Sequence, residues 1–466
     1  MNLLELAWRN VLRNRRRTAL TLAAVGVGAI AIVLLGGYVS AVVKAVQTDT
    51  VRQMGHLQIM APGYLDFGRG NAARFAIQDY ERLAQRLKND AELAPLLAVV
   101  TPLLQVQGVA GHFASGNSSN FAGSGWVPAD RRTMLAWDGY ALGFPPSATR
   151  LRDDRPFDGV IGVGLAQLLD LCGALEIRKC AKAPAALAQA PADAPVMSAD
   201  LGELVAQTRV DAKPAADGEV AIELLAASSG GAPNVVRMNV ARAEQQGIRD
   251  LDLMYVSLPL ALAQRLAFGQ AAPGVSALVV QVKETASLPQ AKARIETILR
   301  ETGSTLDVHD FTVVSPTYNQ IVALFSTMFR FVAILMGVVT LFSITNTVNM
   351  AVGERVTEIG TLRSIGLKRR HIRRMFVLEG GLIGLLGAAL GMVLGLVIAD
   401  YGINAAGLSW TPPGRSAPVP IGIDISGGLE IGVATVVVLT VIACFSSWWP
   451  ARRAARLEIV EALRHV

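Results

Sequence analysis

Few residues in this sequence are spaced for chemistry. Glu354 and Glu358 lie four apart and Arg363 follows them, all within NTVNMAVGERVTEIGTLRSIGLKRRHIRRMFVLEG, residues Asn346 to Gly380. On a helix the two carboxylates share one face. Ile359, Leu362 and Ile365 add an apolar stripe at helical spacing, and Gly366 suits the C-cap that would end the element. Carboxylates beside an apolar ridge make a docking surface; the alternative reading is a solvated charged loop. Cys172 and Cys180 sit close together in DLCGALEIRKCAK. They can close a short disulfide if their compartment is oxidising, or remain two free thiols. Without nearby histidines they supply half a zinc ligand set, and no metal site is expected. His56, His112, His309, His371 and His465 show no metal-ligand spacing among themselves, and Asp310, though next to His309, points elsewhere on most elements. The sequence read here has neither a phosphate-cradling G-x-x-x-x-G-K-[ST] loop nor a nucleophile elbow. No catalytic residue and no cofactor of its own is expected.

Gly387, Gly391 and Gly395 recur every four residues in GLIGLLGAALGMVLG. That spacing lets a neighbouring helix backbone approach closely. Packing within the chain is the favoured reading over an interface between subunits.

The elements that must carry these residues follow from composition. The chain has 466 residues, 52% hydrophobic, 17% charged and only 6% aromatic, with net charge +6 and mean hydropathy +0.40. This is too apolar for a soluble protein and fits membrane helices attached to a water-soluble domain. Charge-free runs place spans at 18–43, 331–352, 380–399 and 431–449. The first is too long for a cleaved signal peptide and reads as an uncleaved anchor. Arg9, Arg13, Arg15, Arg16 and Arg17 precede it; Lys368, Arg369, Arg370, Arg373 and Arg374 lie between the second and third spans; Arg452, Arg453 and Arg456 follow the last. Basic residues abutting apolar spans mark a cytoplasmic face, so both termini are expected there and no nucleic acid is expected as partner.

The divisions expected are a basic arm 1–17, the first span 18–43, an outer domain 44–320, a second span with an outward extension 321–352, a cytoplasmic loop 353–379, spans 380–399 and 431–449 flanking an outer loop 400–430, and a tail 450–466. The fold class is thus an α-helical membrane protein with four transmembrane helices and a large mixed α+β domain inserted between helices 1 and 2. The outer domain has room for two subdomains. Tyr80–Asn89, with Leu83 and Leu87, Gly164–Leu171 and Leu288–Arg300 read as helices; Asp252–Val256 and Val275–Val282 read as strands. The Gly- and Ser-rich Ala114–Gly125 and the Ala- and Pro-rich 181–216 read as loops.

GERVTEIGTLRSIGLKRRHIRRMFVLEGGLIGLLGAALG resembles the signature of FtsX-like permeases, membrane subunits of ABC transporters of the macrolide-exporter and lipoprotein-releasing type. AWRNVLRNRRRTALTLAAV and WWPARRAARLEIVEALRHV resemble that family's two ends. GHLQIMAPGY, VIGVGLAQLLD and DLMYVSLPLALAQRLAF resemble its periplasmic domain, most closely in the lipoprotein-releasing branch. The resemblance implies a bacterial inner-membrane protein whose large domain is periplasmic. It also implies a coupling helix formed by Glu354, Arg355, Glu358, Ile359, Gly360, Arg363 and Gly366, seated on a separate cytoplasmic ATPase that binds the ATP and Mg. A second permease copy or a paralogue would complete the complex. Its work would be release or export of lipoprotein or other lipophilic cargo, with a periplasmic adaptor; the alternative is mechanotransmission to a partner such as a cell-wall hydrolase. The 181–216 stretch and the cysteine pair depart from the family pattern.

Overall fold

The computed structural model describes residues 3–13, 15–68, 74–112, 115–142, 149, 151–177, 220–228, 231–411 and 419–457. Cys180, His465 and the 181–216 stretch lie outside them. The chain divides into two compact units, one comprising Met1–Ala45, Gln320–Trp410 and Pro420–Val466, the other Val46–Asn319 with Thr411–Val419.

The first unit is helical. A short amphipathic helix α1 (Leu3–Arg13) precedes α2 (Arg15–Met54), which has 40 residues. At 1.5 Å per residue α2 is roughly 60 Å long, about twice a hydrocarbon core. Among the described residues four helices are long and apolar enough to cross a membrane: Arg15–Met54, Pro316–Glu354, Arg369–Asn404 and Ile425–Ala454. The second of these exposes Phe331, Ile334 and Phe342, as a helix facing acyl chains would. The third starts at Arg369, so part of the expected 353–379 loop is helical, and the fourth runs to Ala454, beyond the expected end of its span. Both extensions follow from Arg side chains, which are good helix formers and tolerate the ends of membrane helices.

The second unit holds one continuous nine-stranded sheet. From β1 (Leu57–Met60) the chain passes through α3 (Tyr80–Lys88) to the hairpin of β2 (Leu97–His112) and β3 (Asn117–Trp126). Then come α4 (Pro128–Ala136), β4 (Asp158–Gly162) and α5 (Val163–Leu168). β5 (Ala221–Ala227), β6 (Pro233–Glu244), β7 (Tyr255–Pro259) and α6 (Leu260–Phe268) follow. The unit's later elements are β8 (Ala277–Val282), α7 (Leu288–Glu301) and β9 (Asp307–Asp310). The pairings β2–β3, β3–β7, β7–β4, β4–β6, β6–β5 and β5–β2 return on themselves, while β8, β1 and β9 extend from the N-terminal half of β2. The core gathers Leu87, Leu104, Phe121, Ile161, Leu258, Val280 and Ile298 from both helices and strands.

Two sequence expectations are corrected here. The Gly- and Ser-rich 114–125 stretch is largely strand, paired with β2 from Leu103↔Trp126 to His112↔Asn117. Its glycines are there for closeness: a Cβ on Gly125 would collide with the Ala263 side chain of α6. The strand expected at Asp252–Val256 starts instead at Tyr255. Asp252 ends a helical turn, where its carboxylate accepts hydrogen bonds from the Val163, Gly164 and Gln246 amides at 2.9–3.1 Å. The carboxylate fixes the start of α5, while the Asp252 amide donates to the Ile248 carbonyl at 3.1 Å, so its backbone belongs to the turn and not to the strand.

Candidate functional site

The site begins where the long second-span helix stops. That helix, α8 (Pro316–Glu354), ends one residue before Arg355, whose φ of −118° and ψ of 22° break it, and α9 (Val356–Ser364) starts afresh. Glu354 and Glu358 therefore stand on two helices and not on one face of a single helix, which corrects the sequence reading. The reason is Arg355, which is buried and turns toward the buried Glu379, 3.5 Å away on α10 (Arg369–Val397).

Both carboxylates are engaged by the N-terminal arm. Arg13 pairs with Glu358 at 2.6 Å, and Arg17 with Glu354 at 2.9 Å. Thr18 donates to the Val11 carbonyl at 2.9 Å, tying α1 to α2, and α1 packs along α10 with Ala7 and Val11 buried. Thr21 and Thr347 share a buried hydrogen bond of 2.7 Å between α2 and α8.

The apolar stripe is divided. Ile359 is buried with Ile372, Met375, Phe376 and Ala451, beside the buried Gly360, whereas Leu362 is half-buried and Ile365 is 75% exposed. The expected continuous ridge is thus an anchor at one end and an exposed tip at the other. Arg363 donates to the Leu457 carbonyl. Gly366 has φ +102°, its amide donates to the Arg363 carbonyl, and Leu367 donates to that of Leu362. This is a helix ending in the left-handed conformation that glycine adopts without Cβ strain. The result is a short helix held from beneath by Ile359 and from its flanks by arginines, with Thr357, Glu358, Thr361, Ser364 and Ile365 facing outward.

The helix glycines are against named neighbours. A Cβ on Gly391 would collide with the Gly26 carbonyl and lie 2.7 Å from the Ala29 Cβ; one on Gly387 would lie 2.9 Å from the Val25 Cβ; one on Gly395 would lie 3.3 Å from Val33. All three close α10 onto α2. A second glycine face, Gly380, Gly381 and Gly384, abuts Ser447, Cys444 and Ala443 of α11 (Ile425–Ala454). The sequence reading missed this face, although Gly380 and Gly384 have the same spacing of four.

It also missed Asp424. This residue begins α11 and accepts hydrogen bonds from Ser40 at 2.6 Å, Lys44 at 2.5 Å and Ser426 at 2.7 Å. Burial opposes its ionisation, but these donors outweigh it and hold the carboxyl well below the usual carboxylate range. The signal was present as an Asp ahead of an apolar run, the ordinary mark of a helix start.

In the sheet unit His56 and Asp310 serve structure. His56 is buried; its Nδ1 accepts from the Val282 amide at 3.2 Å, its Nε2 lies 3.1 Å from the Thr285 hydroxyl, and the Trp137 and Phe311 rings meet it edge-on. Burial pushes its pKa down to about 4. Asp310 caps the turn that follows β9, accepting from the Thr312 and Val313 amides. Cys180, the residue expected to pair with Cys172, lies outside the described residues. Among the described residues no group of three His, Cys, Asp or Glu could hold a metal ion.

Comparison with known proteins bears on both units. Residues 330–459 match the model of the FtsX-like permease C-terminal region, and residues 18–175 that of the MacB-like periplasmic core domain. The ABC transporter permease YtrF of Bacillus subtilis is 30% identical over 148 residues, 29% of this chain and 31% of YtrF. The uncharacterized ABC transporter permease MJ1507 of Methanocaldococcus jannaschii is 27% identical over 187 residues, 40% of this chain and 45% of that protein. The macrolide export ATP-binding/permease protein MacB of Bordetella avium is 26% identical over 228 residues, 48% of this chain and 32% of MacB. The chain thus spans 31–45% of the length of these relatives. Residues 330–459, which carry α9 and the two glycine faces of α10, are thus similar to the C-terminal region of FtsX-like permeases, and residues 18–175 to MacB-like periplasmic core domains.

Proposed function

We propose that this chain is the membrane subunit of an ABC transporter, with α9 as the element that receives the motion of a separate ATPase. The observation that carries this reading is the construction of α9: a short helix between two membrane-spanning helices, anchored by Ile359 and braced by Arg13 and Arg363, with Glu358 and Ile365 at its exposed surface. A helix held so firmly moves with the helices that hold it. The basic arm, α9 and the C-terminal tail lie on the cytoplasmic side in this reading, because their arginines flank the spans. The sheet unit then lies in the periplasm, where the Cys172–Cys180 bridge survives. A second copy or a paralogue completes the permease pair in a bacterial inner membrane, and ATP with Mg belongs to the ATPase. The cargo is a lipoprotein or another lipophilic molecule, acted on by the sheet unit.

Glu358→Arg, or deletion of residues 354–366, is expected to abolish co-purification of the ATPase while the chain still inserts in the membrane. Unchanged ATPase recovery with both variants would overturn the assignment of α9. Native mass spectrometry of the solubilised complex addresses the cargo. An acylated protein on two permeases and two ATPases supports it, and a periplasmic hydrolase in its place makes the chain a mechanical relay.

A further inference from the structure

The antiparallel packing of α10 and α11 has a second consequence at their arginine-rich ends. The register that sets Gly380 against Ser447 and Gly381 against Cys444 continues outward to bring the first turns of α10 beside the last turn of α11. Arg369, Arg370 and Arg373 of α10 meet Arg452 of α11 and Arg456 of the turn that follows it around a cavity of about 360 Å³ whose wall includes Trp448. The Arg452 guanidinium lies 5.4 Å from the centre of the Trp448 ring. Among the described residues no carboxylate lines the cavity and none pairs with any of these five arginines. The other arginine-rich groove differs, since two of its four arginines, Arg13 and Arg17, are paired with Glu358 and Glu354.

Five like charges without a counter-charge among the described residues repel one another, and an anion that fits among them relieves the repulsion. Guanidinium groups bind phosphate oxygens in bidentate fashion. The neighbouring surface selects the kind of anion. Val441, Phe445 and Trp449 are exposed along α11 on the way out of the membrane span, and tryptophan belongs at the level of lipid headgroups. Basic pockets between transmembrane helices suit anionic headgroups. We propose that this cavity binds the headgroup of an anionic phospholipid, with a preference for a diphosphate headgroup that both helices can engage at once. A lipid held there would brace the α10–α11 pair, whose Ile372, Met375, Phe376 and Ala451 pack with Ile359 of α9.

The test uses the full chain in nanodiscs of phosphatidylcholine containing either cardiolipin or phosphatidylglycerol, with lipid retention read by native mass spectrometry after exchange into neutral detergent. Wild-type protein is expected to retain cardiolipin in preference to phosphatidylglycerol, and both over phosphatidylcholine. Arg373→Gln with Arg452→Gln should reduce cardiolipin retention at least tenfold, while Arg15→Gln with Arg16→Gln, which removes equal charge from the other groove, should leave it within twofold. Arg373→Lys with Arg452→Lys keeps charge and fold but loses bidentate geometry, and should give an intermediate loss. Equal loss in the two Gln pairs would mean a diffuse field and overturn the site. So would displacement of the lipid by millimolar inorganic phosphate, or retention indifferent to headgroup charge. Unchanged lipid retention with loss of a bound ATPase in the Arg373 and Arg452 variant would assign the cavity to a protein partner instead.

Discussion

Arg355 and Glu358 illustrate two kinds of charge in one short segment. The Arg13–Glu358 pair is half-exposed on both sides, and water screens pairs of that kind so that they add little to stability. Arg355 and Glu379 are both buried, and the terminal nitrogens of Arg355 have no hydrogen-bond partner among the described residues. Removing one member of such a pair leaves an uncompensated charge, costing about 3–5 kcal/mol, whereas replacing both by apolar residues is often neutral or stabilising. Glu379→Leu is therefore expected to lower the thermal midpoint of the solubilised protein sharply, and Arg355→Met in the same chain to restore it. No recovery in the double variant would show that the pair is not the source of the loss. His56 gives a pH prediction. Its pKa is about 4 in the folded chain, against an ordinary 6.5, so the unfolded state binds the extra proton between these values. Stability linked to His56 is fully present above pH 6.5 and is lost as pH falls toward about 4, by about 3 kcal/mol. His56→Asn, which keeps an acceptor near the Val282 amide, should flatten the pH dependence of the unfolding midpoint over that window; an unchanged slope would remove His56 as its cause.

At the scale of elements, α10 is shaped by which neighbours it must touch. Gly391 faces Gly26 and Ala29 of α2, whereas Gly353 has nothing within 4 Å of a Cβ built on it. Gly391→Leu is expected to destabilise the solubilised protein by about 1–3 kcal/mol or to prevent its folding, as overpacking does. Gly353→Ala should change it by no more than about 1 kcal/mol in the favourable direction, since alanine is the better helix former. Equal effects of the two would mean that α10 and α2 do not pack as described. The glycine spacing on α10 was legible in sequence because a helix face repeats locally. The β3 strand was not, because its Gly and Ser residues signal a turn unless a partner strand is known, and the partners are β2 and the distant β7. The break at Arg355 was equally hidden: it depends on Glu379, a residue on another helix.

At the scale of the molecule, the sequence placed the four spans by hydrophobic run length and arginine flanks, both local quantities. Strand order was beyond it, since β4 pairs in parallel with β6 and antiparallel with β7 for reasons that lie in three-dimensional packing. The order nevertheless explains how so large a unit is inserted in this chain. Its first and last strands, β1 and β9, are antiparallel neighbours in the register Leu57↔Asp310, so the sheet receives and returns the chain at one place. A domain whose ends meet can be inserted without forcing the flanking helices apart. The sheet unit has its own core, drawn from Leu57 to Leu299, and its own ties to the end of α2: Arg131 donates to the Arg52 and Gln53 carbonyls, and Arg52 to that of Trp137. A fragment of residues 46–319 exported to the periplasm is therefore expected to be soluble and to unfold in one cooperative transition. The Cys172–Cys180 bridge proposed above should leave its thiols unlabelled by maleimide until reduction. Insolubility of the fragment, or unfolding without a cooperative transition, would show that the sheet unit depends on the helices for its fold; labelling without reduction would remove the bridge while leaving the independent fold intact.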